Sequence, residues 1–222
     1  FSHSNETAEA GYYKVLLGDD NILAEMTATT RVGMHQYTFA NASDDVHIIL
    51  DLMHGIYDYA DKNVWTFARV ENDHTIVGYR QTNGWARTRT VYFAMEFSKP
   101  FKSYGFKEFG KQDYKGFWRK FDQTKNFPEA AGKQLRAHFD FDAKAGEKIQ
   151  VKFALSPVST NGAISNLRSE ISDWDFERVK REAQASWNKE LSKVAVTAID
   201  KGEMTPIYTA LYHTVLSPTV YM

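Results

Sequence analysis

The opening segment Phe1-Ser2-His3-Ser4-Asn5-Glu6 sets an imidazole, hydroxyls, an amide and a carboxylate side by side, ahead of the first apolar run. Side chains of these types move protons or hold a polar ligand when the fold gathers them. A plain polar turn is the simpler reading of the spacing. A second group lies in Gly78-Tyr79-Arg80-Gln81-Thr82-Asn83-Gly84-Trp85-Ala86-Arg87. Trp85 beside a glycine in a turn can stack on the apolar face of a sugar while Arg87 and Asn83 bind hydroxyls. Trp85 can equally bury itself against a sheet edge, and spacing does not decide between the two.

The other histidines are His35, His47, His54, His74, His138 and His213, and none falls into HExxH or a zinc-type cluster. His35 and His47 sit in strand patterns and read as structural. An acid/base carboxylate pair must face across a scissile bond, which is a property of space and not of spacing. Asp44-Asp45, Asp140 with Asp142, and Asp173 with Asp175 read as turns and caps. No EF-hand loop, G-x-S-x-G, Walker loop or dinucleotide fingerprint is present. No residue is assigned as catalytic and none as a metal ligand.

The elements that must position these groups are mostly strands. Residues 11–157 alternate with period two, as in Tyr13-Val15-Leu17, Val46-Ile48-Leu50-Leu52, Val91-Phe93-Met95-Phe97 and Ile149-Val151-Phe153-Leu155. Turns fall at 18–21, 41–45, 71–73, 83–84 and 145–146, and about ten strands of a sandwich or barrel are expected. From Ser159 the period becomes helical. A short helix is expected over 163–171, and a second carries Phe176, Val179, Ala183, Trp187 and Leu191 on one face, capped by Asp173 or Asp175. A short strand is expected near 194–199. Another helix is expected from about Thr205, with Tyr208, Leu211, Tyr212 and Val215 as its apolar face and Pro218 beyond its end. Trp65, Trp118, Trp174 and Trp187 read as structural.

The 222 residues carry 27 basic and 28 acidic side chains, so charge gives no reason to expect nucleic acid or an anionic membrane as partner. No apolar run reaches the roughly 20 residues of a membrane span. With no cysteine there is no disulfide framework, thiolate metal site or thiol nucleophile. Cysteine-free chains are common in every compartment, and a bacterial exported protein (periplasmic, cell-surface or secreted) is one of the classes this absence fits. The chain begins with Phe1 and not Met, so a natural N-terminus and any targeting segment are expected further upstream. The helix from Thr205 meets nothing downstream, so a following domain is expected too.

Five stretches in order resemble glycoside hydrolase family 92, the calcium-dependent exo-α-mannosidases. Residues Phe1 to Tyr13 are similar to the family's FSHxNExAxPGYY, with Ala10 where the family usually has Pro. Thr27 to Phe39, then Gly84-Trp85-Ala86 running into Tyr92 to Phe101, follow. Asn166-Leu167 with Glu170 and Trp187-Asn188 resemble the linker helices, and Tyr208 to Thr214 resembles the YTALYHT opening of the helical domain.

The resemblance implies a large antiparallel two-sheet sandwich of the galactose-mutarotase-like kind at 1–158. Linker helices with a short strand would occupy 159–203, and the first helix of an (α/α)6 barrel 204–222. It implies an enzyme that removes terminal mannose with inversion, using calcium. The acid, base and calcium ligands would come from the barrel, beyond these residues, and a Gly/His-rich stretch ahead of Phe1 would add to the sugar site. For this chain it implies the non-catalytic part, inactive alone, with an α-mannoside glycan and its own helical domain as partners. His3, Glu6, Trp85 and Arg87 would bind substrate at the rim of the site, and Asn5, Tyr208, Tyr212 and His213 would lie at the domain interface. A free-standing carbohydrate-binding module is the alternative, and a purely structural sandwich ranks third.

Overall fold

The computed structural model describes residues 2–55, 59, 61–84, 86–109, 128–197 and 201–216. Trp85, Trp118 and Pro218 lie outside the described residues. After a single 3₁₀ turn at His3–Asn5 come β1 (Glu6–Glu9), β2 (Tyr12–Leu17), β3 (Ile22–Ala28), β4 (Val32–Phe39), β5 (Ser43–Asp51) and β6 (Asn63–Val70). Then follow β7 (Thr75–Thr82), β8 (Arg89–Phe97), β9 (Ser103–Glu108), β10 (Glu129–Gly132), β11 (Leu135–Ala143) and β12 (Lys148–Ser156). The chain turns helical in α1 (Thr160–Glu170), α2 (Phe176–Leu191) and α3 (Lys201–Val215).

All strand pairs are antiparallel. They form a nine-stranded sheet, β1-β2-β3-β4-β12-β8-β7-β6-β10, and a three-stranded sheet, β5-β11-β9. Period-two alternation gives the large sheet two apolar faces. On one, Phe39, Phe93, Phe97 and Ile149 meet Val46, Leu50, Phe139 and Phe141 of the small sheet. The Phe97 ring lies 5.2 Å from that of Phe139 and 5.1 Å from that of Phe141. Each fully buried ring of this size contributes roughly 1.5–3 kcal/mol by leaving water. On the opposite face, Val32, Met34, Ala94 and Ala154 pack against Ala163, Leu167, Phe176 and Val179 of α1 and α2. The layers are therefore small sheet, large sheet, helices.

Two glycines mark close approaches, one within the large sheet and one between sheet and helix. At Gly78 a Cβ would lie 2.1 Å from the Phe67 carbonyl oxygen and 2.6 Å from Phe93 Cζ. Gly11, at φ +84°, brings the β1–β2 turn against the backbone of Ala183 in α2.

Several local expectations change. Among the described residues twelve strands form, the additional ones including β1 and β10, which pair at sheet edges without apolar alternation. Asp44, Asp45, Asp140 and Asp142 sit within β5 and β11 rather than in turns. Asp140 accepts from Ser103 and bonds His47, and Lys102 bonds Asp142, so these carboxylates are accommodated in the strands. Helix α1 starts at Thr160 because Ser159 Oγ caps it, accepting from Gly162 N at 3.0 Å. Asp175 caps α2, while Asp173 pairs with Arg178. Residues 194–197 form no strand, and 198–200 lie outside the described residues. Helix α3 begins about one turn earlier than expected, placing Pro206 inside it, where proline removes one i to i−4 bond.

Candidate functional site

The polar N-terminus folds into a local cluster. Ser2 Oγ caps the 3₁₀ turn by accepting from Ser4 N. That turn and β1 place His3 Nδ1 2.6 Å from Glu6 Oε1, while Tyr13 donates to Glu6 Oε2 at 2.7 Å. Tyr13 reaches Glu6 because β1 and β2 pair with Ala8 opposite Tyr13. The hydrogen bond from His3, then that from Tyr13, holds the Glu6 carboxyl below the ordinary glutamate range. The same bond raises the Tyr13 phenol. With both oxygens engaged, Glu6 is an ionised anchor and not a proton donor near neutrality. It orients an imidazole whose side chain stands 88% exposed. Tyr13 was not singled out from the sequence. Asn5 is exposed in the same turn.

Helix α3 lies near the same sheet edge. A cavity of about 510 Å³ is lined by Ala8 and Ala10, Leu191 of α2, and Tyr208, Tyr212 and His213 of α3. The Trp187 and Tyr212 rings lie 4.6 Å apart, and Tyr208 donates to the Val194 carbonyl at 3.0 Å. Three of the four residues expected at an interface, Tyr208, Tyr212 and His213, thus line one cavity beside the β1–β2 turn, and Asn5 does not line it.

Arg87 is exposed on the β7–β8 connection, at a distance from this edge. Glu6 pairs with Val15, Val15 with Ala24, Ala24 with Tyr37 and Tyr37 with Ile149, beyond the Phe97 end of β8. Arg87 follows the Arg89 end of that sheet, where Arg89 pairs with Thr82. The two groups therefore stand at opposite ends of the strands. They are also five strand steps apart, roughly 24 Å at the usual strand spacing. Trp85 lies outside the described residues.

Among the described residues, a wide concavity runs between the sheets. Cavities of about 610 and 630 Å³ share Leu50, Asp51, Arg89, Val91, Phe153 and Leu155, and so form one groove. In its wall His35 Nδ1 lies 3.0 Å from the Tyr37 hydroxyl, and burial lowers the His35 pKa and raises that of Tyr37. At one end Glu170 of α1 clasps the β3–β4 turn. It accepts from Thr29 Oγ1 at 2.5 Å, Arg31 N at 3.0 Å and Arg31 Nε at 2.6 Å. Among the described residues no group of three or more His, Asp or Glu side chains is placed to hold a metal ion. No helix of the described residues is long and apolar enough to cross a membrane.

Comparison with known proteins places these features in context. Residues 1–156 match the glycosyl hydrolase family 92 N-terminal domain, and residues 162–222 match the glycosyl hydrolase family 92 catalytic domain. A family GH92 alpha-mannosidase from Bacteroides thetaiotaomicron aligns with 100% of this chain at 37% identity and TM-score 0.85. A family GH92 inverting mannosidase from Bacteroides thetaiotaomicron VPI-5482 aligns with 98% of it at 25% identity and TM-score 0.82. A GH92 family glycosyl hydrolase aligns with 96% at 26% identity and TM-score 0.78. The chain spans 28%, 27% and 28% of those three proteins. A search of curated proteins gave no match.

Proposed function

Because the chain belongs to glycoside hydrolase family 92, we propose that it forms the non-catalytic β-sandwich part of an inverting, calcium-dependent exo-α-mannosidase. The observation that carries this reading is the alignment of the whole chain with a family GH92 alpha-mannosidase at 37% identity. The substrate is a mannose-containing glycan. An (α/α)6 domain supplies the general acid, the general base and the calcium ligands. Calcium, when bound there, helps hold and distort the sugar, and inversion calls for carboxyl groups spaced widely enough to admit water. The protein is exported by a bacterium to the periplasm, the cell surface or the medium.

The described carboxylate clusters support a non-catalytic role for this region. Glu6 is engaged by His3 and Tyr13, Asp140 by His47 and Ser103, and Glu170 by Arg31 and Thr29. The part matching the catalytic domain reaches the sandwich where α3 shares a cavity with Ala8 and Ala10. We therefore place His3 and Glu6 at the rim of the sugar site and Asn5, Tyr208, Tyr212 and His213 at the interface with the helical domain. Arg87 belongs to a separate surface, because one mannose cannot span the five strand steps to Glu6.

The test is mannose release from an α-mannobioside by the 222-residue chain alone and by the polypeptide its gene encodes. The expected result is no release by the chain and calcium-dependent release of β-mannose by the gene product. Release by the chain alone overturns the assignment. Calorimetric binding of mannosides to the chain alone, with an inactive gene product, identifies a carbohydrate-binding module instead.

A further inference from the structure

Strands β5 and β11 pair with one interruption. Ser43 stands opposite Ala143 and Val46 opposite Phe141, so Asp44 and Asp45 bulge against the single residue Asp142. The backbone N–H of Asp45 turns instead to Ser43 Oγ at 3.2 Å. At this break in the ladder the start of β5 is held to the sheet by side chains.

Those side chains lie on the outer face of the small sheet, since Val46, Phe139 and Phe141 point to the core. Asp140 stands in the central strand, opposite His47 of β5 and Ser103 of β9. One Asp140 oxygen lies 2.7 Å from His47 Nδ1, and the other accepts from Ser103. The second ring nitrogen of His47, Nε2, lies 2.9 Å from Asp45 Oδ1. Both nitrogens of one imidazole thus face carboxylates. A neutral ring has one N–H and one lone pair, so it satisfies one carboxylate and sets its lone pair against the other. Only the imidazolium donates to both. The hydrogen bond to Asp140 raises the His47 pKa, with Asp45 adding to it and burial opposing. Burial would raise the Asp140 carboxyl, but bonds from Ser103 and His47 hold it below the ordinary aspartate range.

Among the described residues, two further cations stand near this ring. His138 Nε2, on β11, lies 4.0 Å from Asp140, and its ring sits 6.3 Å from that of His47. Lys102, just ahead of β9, bonds Asp142 and the Asp44 carbonyl. Lys102 is thus committed to Asp142, and the charge of Asp45 and Asp140 is left to His47, with His138 to one side.

We propose that protonated His47 clamps the bulged start of β5 to β11, so that this corner of the sandwich is closed in mildly acidic surroundings and loosened in alkaline ones. A histidine whose folded pKa stands above its unfolded value of about 6.5 stabilises fully below that value. The contribution is lost as pH rises through the folded value. Strand β5 also carries Ile48 and Leu50 into the wall of the groove, so the clamp sets how firmly that wall is seated. The inference rests on the small sheet and does not depend on the mannosidase reading.

Amide exchange over 43–48 is followed by mass spectrometry on the polypeptide that the gene encodes, from about pH 5.5 to about pH 8.5. The intrinsic pH dependence of exchange is divided out. The expected result is protection that falls at least about threefold across this range, while that of β12 holds. In His47→Gln the fall disappears. Asp45→Asn, at a side chain 84% exposed, removes one partner of the ring and moves the midpoint of the fall to lower pH. A fall that persists unchanged in His47→Gln assigns the effect to another group, His138 first, and overturns the proposal. So does protection in the parent that is independent of pH or grows as pH rises. Should His47→Gln fail to fold, Asp45→Asn decides alone, and an unmoved midpoint overturns the clamp.

Discussion

Arg31 and Glu170 meet at 2.6 Å across a sequence separation of 139 residues, joining the β3–β4 turn to the last residue of α1. Burial alone would raise the Glu170 carboxyl, but hydrogen bonds from Thr29 and from the backbone and side chain of Arg31 outweigh it and hold the pKa below the ordinary value. The Glu170 side chain is 13% exposed, so water competes little for these bonds. Charge-assisted bonds of this kind contribute about 1.5–3 kcal/mol net, and not additively where they share one carboxylate.

Replacing Glu170 with Ala is expected to cost about 2–3 kcal/mol, and with Gln about 1–2 kcal/mol, read from urea midpoints at constant slope. The folded pKa is depressed, so the unfolded state takes up protons first as pH falls. The stabilisation is present above about pH 4.3 and is lost as pH drops through the folded value. Glu170→Gln should therefore flatten the acid limb of the stability curve. An unchanged acid limb would show that other carboxylates dominate it.

Lys152 is a buried cation on the helix-facing side of β12. Its Nζ lies 3.9 Å above the Trp174 ring and 3.7 Å from Glu96. Burial lowers its pKa, with Glu96 opposing the shift. Burying the charge has a cost, so Lys152→Met should stay within about 1 kcal/mol of the parent. Trp174→Ala removes ring packing as well as the cation–π contact and should lose about 2–4 kcal/mol. Combining the two gives a cycle whose coupling energy measures the contact. Zero coupling would assign the Trp174 loss to packing alone.

Helix α3 should be the least protected helix in the 222-residue chain. Tyr208, Leu211 and Tyr212 are half-buried, Val215 is 40% and Leu216 52% exposed, and no described side chain of the helix is buried. Amide exchange over 207–215 is expected to run at least about a hundredfold faster than in β12. Protection equal to that of β12 in a dilute monomer would make α3 an integral part of this domain. Tyr212→Ala, which breaks the ring contact with Trp187, should speed exchange further.

Millimolar calcium is expected to leave the melting temperature of the 222-residue chain unchanged. The clustered carboxylates of the sandwich already bond Lys99, Lys102, Arg31, Arg136 and the His side chains. A ligand stabilises only by binding the folded state, so a chelator-reversible rise of several degrees would reveal a calcium site in this region.

The sandwich was readable because its core strands repeat apolar residues with period two on a buried face, as Phe93, Met95 and Phe97 do in β8. The short edges were less readable: Glu6–Glu9 and Glu129–Gly132 become strands through backbone pairing, which leaves no apolar signature. Helix α2 was visible in the spacing of Phe176 and Val179, whereas Gly162 and Asn161 hid the start of α1. The candidate site was legible as separate pieces only. His3 and Glu6 meet through local spacing, so their contact could be anticipated. The distance between Glu6 and Arg87 depends on strand order, and no local pattern encodes the insertion of β12 between β4 and β8.

That insertion also dictates a timetable for biosynthesis. Strands β1–β4 and β6–β8 leave the ribosome as two separate meanders, and β12 is the strand that stitches them into one sheet. At synthesis speeds of roughly 5–20 residues per second the first meander waits on the order of ten seconds for its central neighbour. Throughout that interval the pairing edges of β4 and β8 stand open, and a nascent chain stalled before Lys148 presents both to chaperones. Release of the stall should convert two protease-sensitive halves into one resistant body in a single step.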